Sequence, residues 1–281
     1  MTVGEPIVNA LCVDLDDLGE AFHEAGLGRG RTSYQVDGEC LALLDELDEL
    51  GTRATFFVPG TVLSRSPQLI REIANRGHEV ASHGFRHILV GQFSRAEFRA
   101  DLDRSKQELE VLIGREVDTY KAPMWGIDPA CSWAYDVLLQ AGFRIDHSAM
   151  PALKRHLGQA GGSHQPFLYD DGLWVIPPTT FQFGSRLALP FSGGFYCAYL
   201  PPAIQGRVFA AINRAGLPFN YYFHPFEHSP AVETLQLIRS NGLRMRIYAR
   251  HSGVYRSHLR ALAGRFAFGS LRDAYSRLLT V

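Results

Sequence analysis

The sequence has only four cysteines, at 12, 40, 131 and 197, with no Cys-x-x-Cys pair and no tight cluster among them. That spacing excludes a thiolate zinc site and a disulfide framework, and leaves ordinary buried thiols. Long hydrophobic runs are also missing. Nowhere do about 18 uncharged apolar residues stand together, so no integral membrane segment is expected. The first residues, MTVGEPIVNALCVDLDD, lack a basic stretch ahead of an apolar one, which predicts a cytoplasmic protein. Neither charge is in excess: 28 Lys and Arg face 29 Asp and Glu. No global field recruits nucleic acid or an anionic membrane, and neither is expected as a partner. No short repeat or low-complexity segment is found.

What is present is a chain of 281 residues, 46% of them apolar, enough for a sizeable core. Short apolar runs alternate with helical patterns. IVNALCVDLD (7–16) reads as a strand; a Gly-rich loop (26–30) leads to a helix over 37–50 with apolar Cys40, Leu43, Leu44, Leu47 and Leu50. ATFFVPG (54–60) is a buried strand, Ser66-Pro67 opens a helix that ends near Gly77, and HEVASH (78–83) is the third strand. Ser94 and Glu97 make a capping-box pattern ahead of Phe98, Leu102, Leu109 and Leu112. VDTYKAP (117–123) is the next strand, Asp128-Pro129 starts a helix reaching Gly142, and FRID (143–146) is extended. Between 147 and 198 the alternation weakens, with LWVIPP (173–178) and GGFYCAYL (193–200) read as strands. It returns with a helix over 201–215, the strand FNYYFH (219–224), a helix opening at Ser229-Pro230, and a last strand and helix near 265–279.

Strand followed by helix, repeated with no composition break, predicts one α/β barrel domain over 1–281, with a doubly wound sheet as the competing architecture. The barrel is favoured because the unusual polar residues fall at the C-terminal ends of different strands: Asp14 and Asp16, His83, Lys121 and His224. In a barrel those ends meet at one mouth.

Two residues apart on a strand, Asp14 and Asp16 point to one face. His83 and His87 in SHGFRH share a face if a turn or helix begins at Gly84. Two neutral imidazoles and one carboxylate form a ligand set for a divalent metal ion, zinc first, with cobalt, nickel or iron as alternatives. The second carboxylate then accepts a proton from the water such an ion activates, which makes Asp14 the candidate base and Asp16 the candidate ligand. Lys121, in YKAP, is the cation that holds a base ionised. His224, in FHPFEH, is the candidate acid for a departing amine. Glu227 and His228 read as loop residues. Taken singly each signal has an ordinary alternative, such as a turn-capping Asp pair or a surface lysine. Their order and strand-end placement carry the reading.

These residues resemble the polysaccharide deacetylases with the NodB-homology fold. VDLDD resembles the first motif of that family, SHGFRH the double-histidine motif, and KAPMW its Arg-x-Pro element; ATFFVPG, RGHEVASHG and FHPFE resemble further family segments. LWVIPPTTFQF, SGGFYCAYLPP and YYFHPFE are similar to the subgroup associated with exosortase-linked exopolysaccharide loci, so the resemblance covers most of the chain. It implies a distorted (β/α) barrel of about seven strands and metal-dependent removal of an N-acetyl group from an amino sugar or a glycan containing one. By position, Asp14 resembles the base, Asp16 or its neighbour Asp17 with His83 and His87 the metal ligands, and His224 the acid. Lys121 stands where the family has arginine and lacks its bidentate fork. Two other functions remain compatible: a carbohydrate-binding protein that kept the barrel without catalysis, and a deacylase of a small N-acylated metabolite. The six arginines and one aspartate from Arg250 onward read as a solvated helix face or as a contact surface for an anionic partner.

Overall fold

Residues 8–14, VNALCVD, are buried beyond the first position and form the leading strand β1 (Val8–Asp14). The computed structural model describes residues 6–18, 34–151, 163–170, 172–183, 187–240 and 253–279. The Gly-rich loop at 26–30 and Arg250 lie outside these. The chain divides into two units, Met1–Thr55 with Gly193–Val281, and Phe56–Ser192.

After β1 comes α1 (Val36–Glu49), and β2 (Thr55–Val58) carries the chain into the second unit. There follow α2 (Gly60–Arg65), α3 (Pro67–Asn75), β3 (Glu79–Ser82), α4 (Arg95–Ile113), β4 (Thr119–Tyr120), α5 (Ala134–Gln140), β5 (Ile145–Asp146), β6 (Phe167–Tyr169) and β7 (Leu173–Val175), then the antiparallel pair β8 (Thr180–Phe183) and β9 (Leu187–Pro190). Back in the first unit are α6 (Gly194–Cys197), α7 (Pro202–Arg214), β10 (Asn220–Phe223), α8 (Pro225–His228), α9 (Val232–Ser240), α10 (Val254–Ala263), β11 (Ala267–Gly269), α11 (Leu271–Ala274) and α12 (Ser276–Leu279).

In the first unit β1 pairs in parallel with β10 on one side and β11 on the other. Buried Asn9 would be expensive without partners. Its side chain donates to the carbonyls of Ile7 and Ala267 and exchanges hydrogen bonds with Asn213, tying β1 to β11 and α7. Phe209 of α7 stacks on Phe219 with ring centres 3.9 Å apart, covering the sheet.

In the second unit β3, β4, β5 and β7 run parallel, with β6 antiparallel at the edge. Helix α4 starts at the Ser94–Glu97 capping box that the sequence predicts and ends at Gly114, whose φ of 66° suits glycine. Its buried face holds Phe98, Asp101, Leu102, Ser105 and Leu109. Phe98 meets Tyr120 edge-on at 6.0 Å, and Tyr120 meets Phe143 at 5.6 Å. Each such fully buried ring stabilises the unit by about 1.5–3 kcal/mol.

Three expectations are corrected. GGFYCAYL is not a strand: residues 194–197 form a helical turn. Gly193 pairs with Tyr222 at φ 137°, so close that a Cβ would sit 1.8 Å from the Tyr222 carbonyl oxygen, and Gly194 turns the chain at φ 57°. The helix expected from Asp128-Pro129 is first a short 3₁₀ turn, Pro129–Cys131, capped by the Asp128 carboxylate, and α5 begins only at Ala134. The helix expected at Ser229-Pro230 begins at Val232, and the Ala231 N–H just ahead of it donates to the carboxylate of Glu39 on α1. All four cysteines are buried thiols. Among the described residues, no helix is long and apolar enough to cross a membrane.

Candidate active site

In the first unit the parallel register sets Val13 opposite Phe223, so the next residues, Asp14 and His224, leave the same end of neighbouring strands. Asp14, Asp16 and Asp17 are all buried. The His224 Nε2 stands 3.6 Å from an Asp16 oxygen and 4.0 Å from an Asp14 oxygen. Its Nδ1 lies 2.8 Å from Glu227 Oε2, and its backbone N–H donates to the same oxygen. The Phe226 ring stacks on the imidazole at 4.9 Å. Burial lowers the affinity of His224 for a proton, but Glu227, by charge and hydrogen bond, and then Asp16 and Asp14, outweigh it and raise the pKa to about 9. At neutral pH the ring is therefore charged. Asp17 turns elsewhere: its carboxylate accepts the Gln35 N–H just ahead of α1, at 3.1 Å.

Glu227 and His228, read as loop residues from the sequence, belong to α8 and are buried. Glu227 brackets His224. His228 has a packing role: it stacks on Phe223 and lies 3.5 Å from buried Glu46. Burial, then the charges of Arg256 and Arg260, lower its pKa to about 4. Both arginines reach Glu46 through Nε, at 2.6 and 2.7 Å, so two members of the C-terminal arginine series bind this unit's own carboxylate.

In the second unit the two histidines come together, though not on a helix. His83 follows β3 directly and its N–H donates to Val58. The chain then turns at Gly84, φ 77°, and His87 itself takes φ 52°. The imidazole centres are 4.8 Å apart, both rings buried. His83 Nδ1 lies 2.7 Å from the Lys121 carbonyl oxygen. A carbonyl only accepts, so the ring is protonated at Nδ1, and in the neutral imidazole Nε2 is the atom with a lone pair for a metal.

Lys121 is buried at the end of β4, its ammonium 3.9 Å from the centre of the Trp125 ring and 5.4 Å from that of Phe57. His147 completes the aromatic group, edge-on to Trp125 at 4.9 Å and stacked on Phe57 at 5.9 Å, with Nδ1 against the Ile176 carbonyl. Next to it, burial pushes the Asp146 carboxyl up to about 7 against two opposing hydrogen bonds from Ser148, whose hydroxyl in turn accepts the Ala122 N–H. Sequence reasoning missed Glu227, Trp125 and His147. The signal for Trp125 was its place in KAPMW, two residues past the proline; for Glu227 it was the spacing of three from His224.

Residues 37–143 match the family model described as polysaccharide deacetylase, and 147–276 match the one described as domain of unknown function DUF3473. Over residues 37–143 the chain is similar to the polysaccharide deacetylase family. A peptidoglycan deacetylase-like protein of Gibberella zeae is 26% identical over 238 residues, covering 79% of this chain and 60% of that protein. A chitooligosaccharide deacetylase of a Bradyrhizobium strain is 30% identical over 96 residues, covering 34% and 42%. The chain spans from about a third to 60% of the length of curated relatives it matches. A solved structure of a candidate polysaccharide deacetylase from Mycobacterium smegmatis, 22% identical, aligns over 95% of this chain and 94% of its own with a TM-score of 0.58. The chain therefore has that fold, the distorted (β/α) barrel expected from its sequence.

Proposed function

We propose that the protein is a metal-dependent hydrolase removing an N-acetyl group from an amino sugar or a glycan containing one, as one catalytic domain over 1–281. The observation that carries this is the buried pair His83 and His87, with His83 oriented by the Lys121 carbonyl. On this reading Asp16, itself buried, is the carboxylate ligand that joins the two histidines. One carboxylate and two neutral imidazoles suit zinc, and equally cobalt, nickel or iron, with positions left for substrate. When bound, the ion supplies Lewis acidity toward the amide oxygen and makes water more acidic.

The remaining steps belong to the chain. Asp14 takes the proton from the attacking water. His224, held charged by Glu227, gives a proton to the departing amine nitrogen. Lys121 supplies the positive charge that keeps the base ionised. Asp17, engaged with the Gln35 N–H, is left out of the ligand set. The names of the relatives support an N-acetylated glycan, and the exosortase-locus resemblance an exopolysaccharide.

Elemental analysis of the purified wild type and of a His83→Ala, His87→Ala variant tests the reading. Near-stoichiometric metal in the first and none in the second, with amine released from an N-acetylated sugar by the wild type alone, is the expected result. A wild type that takes up none of the four metals after reconstitution removes the mechanism. Sugar binding without amine release across those metals would leave the carbohydrate-binding reading instead.

A further inference from the structure

The three residues between the two histidines, Gly84, Phe85 and Arg86, form neither helix nor strand, so their amides need partners from elsewhere. Two of them end on Asp101 of α4. Its Oδ2 accepts the Phe85 N–H at 2.7 Å and its Oδ1 the Arg86 N–H at 3.0 Å. The third, Gly84 N–H, donates to Ser82 Oγ at 3.2 Å, and that hydroxyl pairs with Ser105 Oγ at 2.8 Å. Asp101 and Ser105 are four apart, so one helix face holds the whole turn. Aspartate is rare on such a face, and here it is 7% exposed. A second element also holds the turn, since Gly60 N–H of α2 donates to the Gly84 carbonyl, and from α4 the Arg104 guanidinium lies 3.6 Å from the centre of the Phe85 ring.

We propose that Asp101 is a positioning residue for the metal ligands: its carboxylate, gripping two consecutive amides, fixes the turn that holds His87 at the angle and distance from His83 that ligation requires. This rests on the metal reading above. His87 takes a positive φ that non-glycine residues rarely adopt, so the chain does not settle there unaided. An ionised acceptor makes shorter and stronger bonds to N–H groups than a neutral one. Asparagine has a single acceptor oxygen and turns an NH₂ toward the second amide, so Asp101→Asn releases one side of the turn without changing the volume of the side chain.

The test is titration of the metal-free 281-residue protein with Co(II), read by visible absorption and by competition with a chelator. Wild type is compared with Asp101→Asn and with Asp103→Asn, an exposed residue of the same helix bonded to Arg99. Asp103→Asn should match wild type. Asp101→Asn should bind Co(II) about 10- to 100-fold more weakly, the usual effect of losing a partner behind a ligand, with altered band positions or intensities. A purely structural aspartate would lower the melting temperature and leave the Co(II) spectrum unchanged. Binding within twofold of wild type with the same bands overturns the proposal. A wild type that binds no Co(II) overturns the metal reading itself, which is a separate result. Should Asp101→Asn not fold, as read by circular dichroism, Asp101→Glu keeps the charge and displaces the oxygens by one methylene; it too should bind more weakly, and wild-type binding overturns the proposal.

Discussion

A single oxygen, Glu227 Oε2, sits 2.8 Å from both the backbone nitrogen and the ring Nδ1 of His224. The carboxylate therefore fixes the backbone turn, the ring orientation and the site of the Nδ1 proton at once, and directs Nε2 toward Asp16 and Asp14. A neutral amide at 227 preserves the shape but removes the charge that stabilises the imidazolium.

Glu227→Gln is accordingly expected to lower kcat by about 10- to 100-fold, and His224→Ala by about 10²- to 10⁴-fold, the usual range for a general acid. Steady-state kinetics on one N-acetylated sugar check both. Full activity in Glu227→Gln would reduce the bracket to a structural cap.

Strand ends were the legible part. Asp14, Asp16, His83, Lys121 and His224 were singled out as candidates because β-strands announce themselves by apolar runs, and a charged residue closing such a run stands out. What holds those residues was not legible. Asp101 lies in a helix among other acidic residues, and its amide partners are 15 and 16 residues away. Trp125 and His147 meet over 22 positions, which no local period encodes. GGFYCAYL failed for a different reason: its apolar residues fit a strand, and only the positive φ of Gly193 and Gly194 reveals a turn. The start of α9 was hidden because the group that accepts the Ala231 N–H is Glu39, 192 residues away.

Gly60 predicts a backbone-level defect. A Cβ there would lie 2.3 Å from the Phe85 carbonyl oxygen, inside the turn between the histidines. Gly60→Ala must displace that turn or α2, and should destabilise the protein by about 1–3 kcal/mol, in the manner of an overpacked core. Urea unfolding measures it, and Co(II) affinity should fall with it. An unchanged midpoint would contradict the close approach.

Glu39 predicts a pH dependence of stability. Burial raises its pKa from 4.5 to about 7, against hydrogen bonds from Thr234 and Ala231 and with a smaller push from Asp17. The folded state thus keeps a proton that the unfolded chain has released, and the stability this group contributes falls as pH rises from about 4.5 to about 7. The full effect is about 3 kcal/mol at most. His228 acts with the opposite sign: its folded pKa of about 4 lies below the usual 6.5, so its contribution is present above about 6.5 and is lost as pH falls toward 4. Glu39→Gln retains an acceptor oxygen for both donors and removes only the first effect. Relative to wild type it should gain stability as pH rises across that window, measured by urea unfolding at several pH values. A difference independent of pH would show that Glu39 does not titrate there.

Lys121 separates charge from size. Its ammonium is buried against Trp125 at 3.9 Å, a cation–π contact of about 2 kcal/mol when water is excluded. Lys121→Met keeps the length and apolar stem and removes the charge. If that charge keeps the base ionised, kcat near neutral pH should fall roughly tenfold or more and the acidic limb of the rate profile should move to higher pH, because loss of a nearby cation raises a carboxylate pKa by about 1–3. Lys121→Arg retains the charge and can still stack on the indole. It should keep the acidic limb where wild type has it even if crowding among Phe57, Trp125 and His147 lowers the rate. An equal displacement of the limb in both variants would mean that shape at 121, not charge, governs the base.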